Sequence, residues 1–122
     1  MTEKLDQREI VERFQAMCNQ QTQLSSKLAE LEAERAEHEL VLETLEKTPD
    51  SRKCFRLIGG VLIERTVKEV FPAVKQNESN LCKIIGELQE ELNKIIIDIS
   101  EYKQKYNIMT QEEYLARPRQ VV

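Results

Sequence analysis

Arg52-Lys53-Cys54-Phe55-Arg56-Leu57-Ile58-Gly59-Gly60-Val61-Leu62-Ile63-Glu64-Arg65-Thr66 is the one stretch of this chain that stops reading as helix and reads as strand. Apolar β-formers flank Gly59-Gly60, the signature of a hairpin whose two turn residues need positive φ. Outward from that turn, Ile58 should face Val61, Leu57 face Leu62, Arg56 face Ile63 and Phe55 face Glu64. Alternation then puts Phe55, Leu57 and Leu62 on one face and Ile58, Val61 and Ile63 on the other. A lone two-stranded hairpin is marginal in water and cannot bury two apolar faces by itself. The rest of the chain offers no further strand, so the hairpin calls for strands from partner subunits.

Heptads leave the hairpin on both sides. On the N-terminal side, Asp6 and Glu9 have the form of a capping box. From there Ile10, Phe14, Met17, Gln21, Leu24, Leu28, Leu31, Arg35, His38, Leu42 and Leu45 alternate steps of four and three, the a/d pattern of a coiled coil. Pro49 stops this helix, because it lacks an N–H and pushes Thr48 out of the α region. On the C-terminal side, Thr66-Val67-Lys68-Glu69 is a T-x-x-E capping box. The second seam reads Val67, Val70, Val74, Asn77, Leu81, Ile84, Leu88, Leu92, Ile95, Ile99, Tyr102, Tyr106 and Met109. Pro72 predicts a kink or restart, and the successive steps of four from Ile84 to Leu92 predict a stutter beside Gly86. The helix should end near Asn107, and residues 110–122, with Arg117-Pro118-Arg119, read as a loose tail.

The expected fold is mainly α. It is one domain over residues 1–122, with an N-terminal coiled-coil helix at 6–47, a β-hairpin at 53–65, a C-terminal coiled-coil helix at 66–109 and a tail at 110–122. A tight turn makes the two helices antiparallel. Leu45 then lies near Val67 and Ile10 near Tyr102, and Arg35 with Asn77 forms one polar layer that fixes register. Each arm of ~40 residues would be about 60 Å long at the α-helical rise. The hairpin would stand at one end and both termini at the other.

Composition narrows the function. A third of the residues are charged and only 5% are aromatic, with no Trp, which suits long helices sharing a narrow seam better than a compact core. The net charge of -4, with both signs interspersed, provides no basic face for nucleic acid. Cys18, Cys54 and Cys82 are odd in number and match no C-x-x-C spacing, so they read as free thiols in a reducing compartment. No leader and no apolar run of membrane-spanning length is read, which predicts the cytoplasm, with the nucleus as the alternative, and no membrane partner. The single histidine, His38, reads as a seam residue, and Glu90-Glu91 and Glu112-Glu113 as solvated helix faces. No nucleophile–base pair, phosphate loop, metal cluster or cofactor motif stands out. The expectation is a binding protein without enzymatic activity. Near the termini, Ile95-Ile96-Ile97-Asp98-Ile99 carries more apolar side chains than a two-helix seam can take. Ile10, Val11 and Phe14 lie opposite, with Tyr102, Tyr106, Ile108 and Met109 beyond. The excess reads either as a docking surface for another apolar chain or as a wider seam packed against a neighbouring helix.

The run Arg52-Lys53-Cys54-Phe55-Arg56, Gly59-Gly60-Val61-Leu62 and Glu64-Arg65-Thr66-Val67-Lys68-Glu69-Val70 with Pro72 resembles the central signature of β-type prefoldin chains of the subunit 2 kind. Glu37-His38-Glu39-Leu40-Val41 and Lys105-Tyr106-Asn107-Ile108 also match, so the resemblance covers residues 10 to 109. It implies a heterohexamer of two α-type and four β-type subunits, so this chain would have two α-type and three further β-type partners. Phe55, Leu57, Ile58, Gly59, Gly60, Val61, Leu62 and Ile63 would enter an inter-subunit β-barrel. The implied activity is ATP-independent holding of unfolded actin and tubulin chains, which then pass to the cytosolic group II chaperonin. Clients would be held at the arm tips, on Ile10, Val11, Phe14, Ile96, Ile97, Ile99, Tyr102, Tyr106, Ile108 and Met109. The alternative is a structural coiled-coil adaptor that holds no unfolded protein.

Overall fold

The computed structural model describes residues 6–116. In chain order it contains α1 (Gln7–Glu46), β1 (Lys53–Ile58), β2 (Val61–Thr66), α2 (Val67–Tyr106) and α3 (Gln111–Ala116). Two compact units are present. One comprises residues 6–24 and 91–116; the other is Ser25–Glu90 and includes the hairpin.

In the Ser25–Glu90 unit, β1 and β2 form a two-stranded antiparallel sheet in the register expected from the turn, with Ile58 opposite Val61 and Phe55 opposite Glu64. Gly59 (φ 56°) and Gly60 (φ 82°) both adopt the left-handed conformation that a two-residue turn of this twist requires. The connection from α1 does two jobs. Thr48 folds back on the last turn, its amide donating to the Leu45 carbonyl at 3.1 Å and its hydroxyl to the Thr44 carbonyl at 2.7 Å. The Asp50 and Arg52 carbonyls then accept the Lys68 and Val67 amides at 3.1 and 3.0 Å, satisfying two of the N–H groups that α2 leaves unpaired at its start. Of the expected Thr66–Glu69 capping box the structure gives a side-chain contact of 3.2 Å, and Thr66 itself belongs to β2.

Burial along α1 follows the heptad reading: Leu28, Leu31 and Leu42 are buried and the other eight seam positions are half-buried. In α2, Val67, Val70, Leu81, Leu92, Ile95 and Ile99 are buried, but the seam does not pass through Asn77 and Ile84 as expected. Those two are exposed, and Glu78 and Ile85 are half-buried in their place. The two successive steps of four therefore fall at Val70–Val74–Glu78, not at Ile84–Leu92. The first of them spans Pro72, which cannot donate to the Lys68 carbonyl and so relaxes the helical ladder there. α2 nevertheless continues through Pro72 as one helix, without the restart the sequence suggested.

The same shift alters the expected polar layer. Arg35, half-buried, turns to its own helix, pairing with Glu32 at 3.1 Å and Glu39 at 3.4 Å, while Asn77 is exposed beside Glu34 and His38. The hydrogen bond and negative charge of Glu32 raise the Arg35 pKa further, with Glu39 and Cys82 adding smaller contributions in the same direction. A guanidinium with carboxylates three residues before and four after it is satisfied locally and has no need of Asn77.

In the other unit, α2 stops at Tyr106, next to the Asn107 where its end was expected and three residues short of the 66–109 bound. Asn107 takes φ 53° and the Ile108 amide bonds back to the Lys103 carbonyl at 2.9 Å, the six-to-one bond of a Schellman cap. The chain then forms α3 where a loose tail was expected. Thr110 caps it by accepting the Glu113 amide at 3.2 Å, and the Lys103 ammonium pairs with the Glu113 carboxylate. Residues 1–5, and the Arg117-Pro118-Arg119 part of the tail, lie outside the described residues.

Candidate functional site

The hairpin surface is built by β1 and β2 on a short, fixed turn. Phe55, Leu57, Ile58, Val61 and Leu62 are all exposed, Leu57 by 70%. The two faces are unequal. Phe55, Leu57 and Leu62 lie open beside the Lys53–Glu64 ion pair of 3.3 Å. On the other face Cys54, Arg56 and Ile63 are half-buried, whereas Ile58 and Val61 next to the turn are exposed. Gly59 and Gly60 contribute backbone shape alone. A surface of this kind offers apolar side chains and strand edges together, and its chemistry is that of pairing with other strands.

The second surface lies in the unit of residues 6–24 and 91–116. Its aromatic part is occupied internally: the Tyr102 hydroxyl donates to the Ile10 carbonyl at 2.9 Å, and Phe14 stacks on Tyr102 with ring centroids 6.5 Å apart. Tyr106 packs against Tyr102 at 4.7 Å, with the Lys105 ammonium 5.2 Å from the Tyr106 ring centre. These contacts clip the first turns of α1 to the last turns of α2 and leave Ile10, Phe14, Tyr102, Tyr106 and Ile108 half-buried. Ile99 is only 8% exposed and belongs to the seam, so it cannot present a surface as the sequence reading had it. Its neighbours differ: Val11 is 59% exposed and Ile97 57%, with Ile96 and Met109 also exposed. A 100° turn per residue explains the split, since Ile95 and Ile99 share the inward stripe and Ile96 and Ile97 fall outside it.

Sequence reasoning missed Tyr114 and Leu115, both exposed on α3. Their signal was present: Thr110-Gln111-Glu112-Glu113 is the same T-x-x-E pattern that was read at Thr66. Seam residue His38 places Nδ1 2.8 Å from the Glu34 carbonyl. Among the described residues no cluster of three or more His, Cys, Asp or Glu could hold a metal ion, and no helix is long and apolar enough to cross a membrane.

A family model described as "Prefoldin subunit" matches residues 8–113. Over 100 residues the chain is 43% identical to prefoldin subunit 2 of Homo sapiens, covering 82% of this chain and 65% of that protein, so it spans just under two thirds of the mammalian relative's length. It is 42% identical over 111 residues to a probable prefoldin subunit 2 of Drosophila melanogaster, covering 91% of this chain and 78% of the relative. In fold it is similar to the crystal structure of the prefoldin beta subunit from Thermococcus strain KS-1, with a TM-score of 0.75 over 97% of this chain and 100% of that one, at 15% identity.

Proposed function

The chain belongs to the prefoldin subunit family, and from that premise we propose that it is a β-type subunit of a hetero-hexameric, ATP-independent holding chaperone. Its neighbours in the assembly are α-type and further β-type prefoldin subunits. Its clients are unfolded chains such as actin and tubulin, passed on to the cytosolic group II chaperonin. The role is binding rather than catalysis, carried out in the cytoplasm.

The observation that carries this reading is the hairpin. Five large apolar side chains stand exposed on a two-stranded sheet that has no third strand among the described residues. Such a sheet is stable when other strands cover it, at about 25 cal/mol for each Å² of apolar area removed from water. Client handling is assigned to Val11, Ile96, Ile97 and Met109, with the half-buried Ile10, Phe14, Tyr102, Tyr106 and Ile108 as their support. Several such surfaces around one client multiply weak contacts by raising the effective concentration.

The test is reconstitution with the partner subunits, followed by light scattering of denatured actin diluted into the assembly. Suppression of aggregation is expected, and V11S/I96S/I97S/M109S should weaken it several-fold while the hexamer still forms. Undiminished suppression by an intact variant hexamer would move client binding off this surface. A wild-type hexamer that suppresses nothing would leave a coiled-coil adaptor as the better description.

A further inference from the structure

The two faces of the hairpin differ in charge as well as in exposure. Phe55, Leu57 and Leu62 share theirs with Lys53 and Glu64, which pair with each other at 3.3 Å. The other face carries Cys54, Arg56 and Ile58 of β1 against Val61, Ile63 and Arg65 of β2, with Arg56 directly opposite Ile63 and Arg65 as its diagonal neighbour. Both charges on that face are positive. Arg65 is satisfied within its own unit: Nε lies 3.7 Å from the Glu69 carboxylate, and the guanidinium donates to the Glu64 carbonyl at 2.9 Å. Arg56 is not. It is half-buried, and among the described residues its guanidinium has no carboxylate within ion-pair distance and donates no hydrogen bond.

Water solvates the Arg56 guanidinium as long as this face is open. Covering Ile58, Val61 and Ile63 with another strand removes that water, and a guanidinium enclosed without a partner is strongly unfavourable. A strand that seats here must therefore bring a carboxylate, which can accept two parallel N–H bonds from the guanidinium edge. A second copy of this chain does not supply one. The sole carboxylate between Lys53 and Thr66 is Glu64, which belongs to the opposite face and is held by Lys53. Laid on itself, the face sets Arg56 and Arg65 against the same two cations.

We propose that Arg56 selects what the hairpin pairs with: the Ile58–Val61–Ile63 face takes a strand of an unlike subunit that sets an Asp or Glu against Arg56, and rejects a second copy of this chain. This selection rests on the assembly role proposed above and adds to it the chemistry of the neighbour, an apolar strand carrying an acid.

Reconstitution with α-type and further β-type prefoldin subunits, followed by native mass spectrometry, reads both halves. R56E should lower the share of the chain that enters the hexamer at least several-fold, with the helical circular dichroism of the free chain unchanged. R56M, which keeps the length and loses the charge, should raise self-association of the chain alone at least several-fold. In hexamers assembled with R56K, a water-soluble carbodiimide should couple the new amine at position 56 to an Asp or Glu of a neighbouring subunit, located by peptide mapping. Entry of R56E at the wild-type level would overturn the selection and leave the assembly role standing. So would R56K hexamers in which position 56 couples only within its own chain or not at all. R56M self-association no greater than wild type would overturn the rejection of a second copy. A wild-type chain that enters no hexamer would overturn the assembly role and the selection together.

Discussion

Gly86 lies in the interior of α2, and a Cβ built on it would meet nothing within 4 Å beyond its chain neighbours and the local helix backbone. Glycine there loses backbone entropy and gains no close approach in return, so Gly86→Ala should stabilise the fold by about 1 kcal/mol, seen as a higher midpoint in a circular-dichroism melt. The hairpin glycines are the opposite case. Space is equally open around Gly59 and Gly60, but their φ values of 56° and 82° penalise any Cβ. Gly59→Ala should therefore cost roughly 1–2 kcal/mol through the backbone alone. Single residues also divide the apolar excess of α2. Ile99→Ala empties a buried seam position and should cost about 2–5 kcal/mol, whereas exposed Ile97→Ala should stay within about 0.5 kcal/mol. Sequence alone grouped Ile96, Ile97 and Ile99 as one surface. Helix phase separates them: the seam read from the sequence already ran through Ile95 and Ile99, leaving Ile96 and Ile97 spare, and moving the stutter upstream changes no seam position beyond Leu88.

At the scale of elements, α1 was legible at every seam position from Ile10 to Leu45, because nothing interrupts its hydrogen-bond ladder. The hairpin register was equally legible, since a two-residue turn at Gly59-Gly60 leaves no freedom in pairing. α2 was misread at Asn77 and Ile84, where counting heptads assumes a regular ladder that Pro72 does not supply. α3 was missed because a six-residue helix that buries nothing leaves no periodicity to read. Its polar construction does leave a pH signature. The hydrogen bond from Lys103, followed by that from Thr110, holds the Glu113 carboxyl below the usual carboxylate range. A depressed carboxylate pKa means that the stabilising contribution is present at neutral pH and fades as pH falls through the folded-state value. Acidification should thus open α3, followed by the Tyr114 amide resonance, in a transition that E113Q abolishes.

For the molecule as a whole, the two apolar surfaces belong to different compact units and share no described residue. Under the function proposed above, assembly into a hexamer and client handling should therefore separate by mutation. Ile58→Asp and Val61→Asp are informative because both positions are exposed in this chain, so a carboxylate there costs the chain itself little. If partner strands cover the hairpin, the same carboxylate is taken out of water without a counter-charge, which costs several kcal/mol and is enough to abolish a joint held by a few strands. The variant chain should retain its helical circular dichroism yet fail to enter the hexamer in native mass spectrometry. V11S/I96S/I97S should do the reverse, entering the hexamer but holding client poorly. Co-purification of an Ile58→Asp chain with its partners at wild-type stoichiometry would show that the hairpin is not the joint, and the exposed β1–β2 faces would then need another occupant.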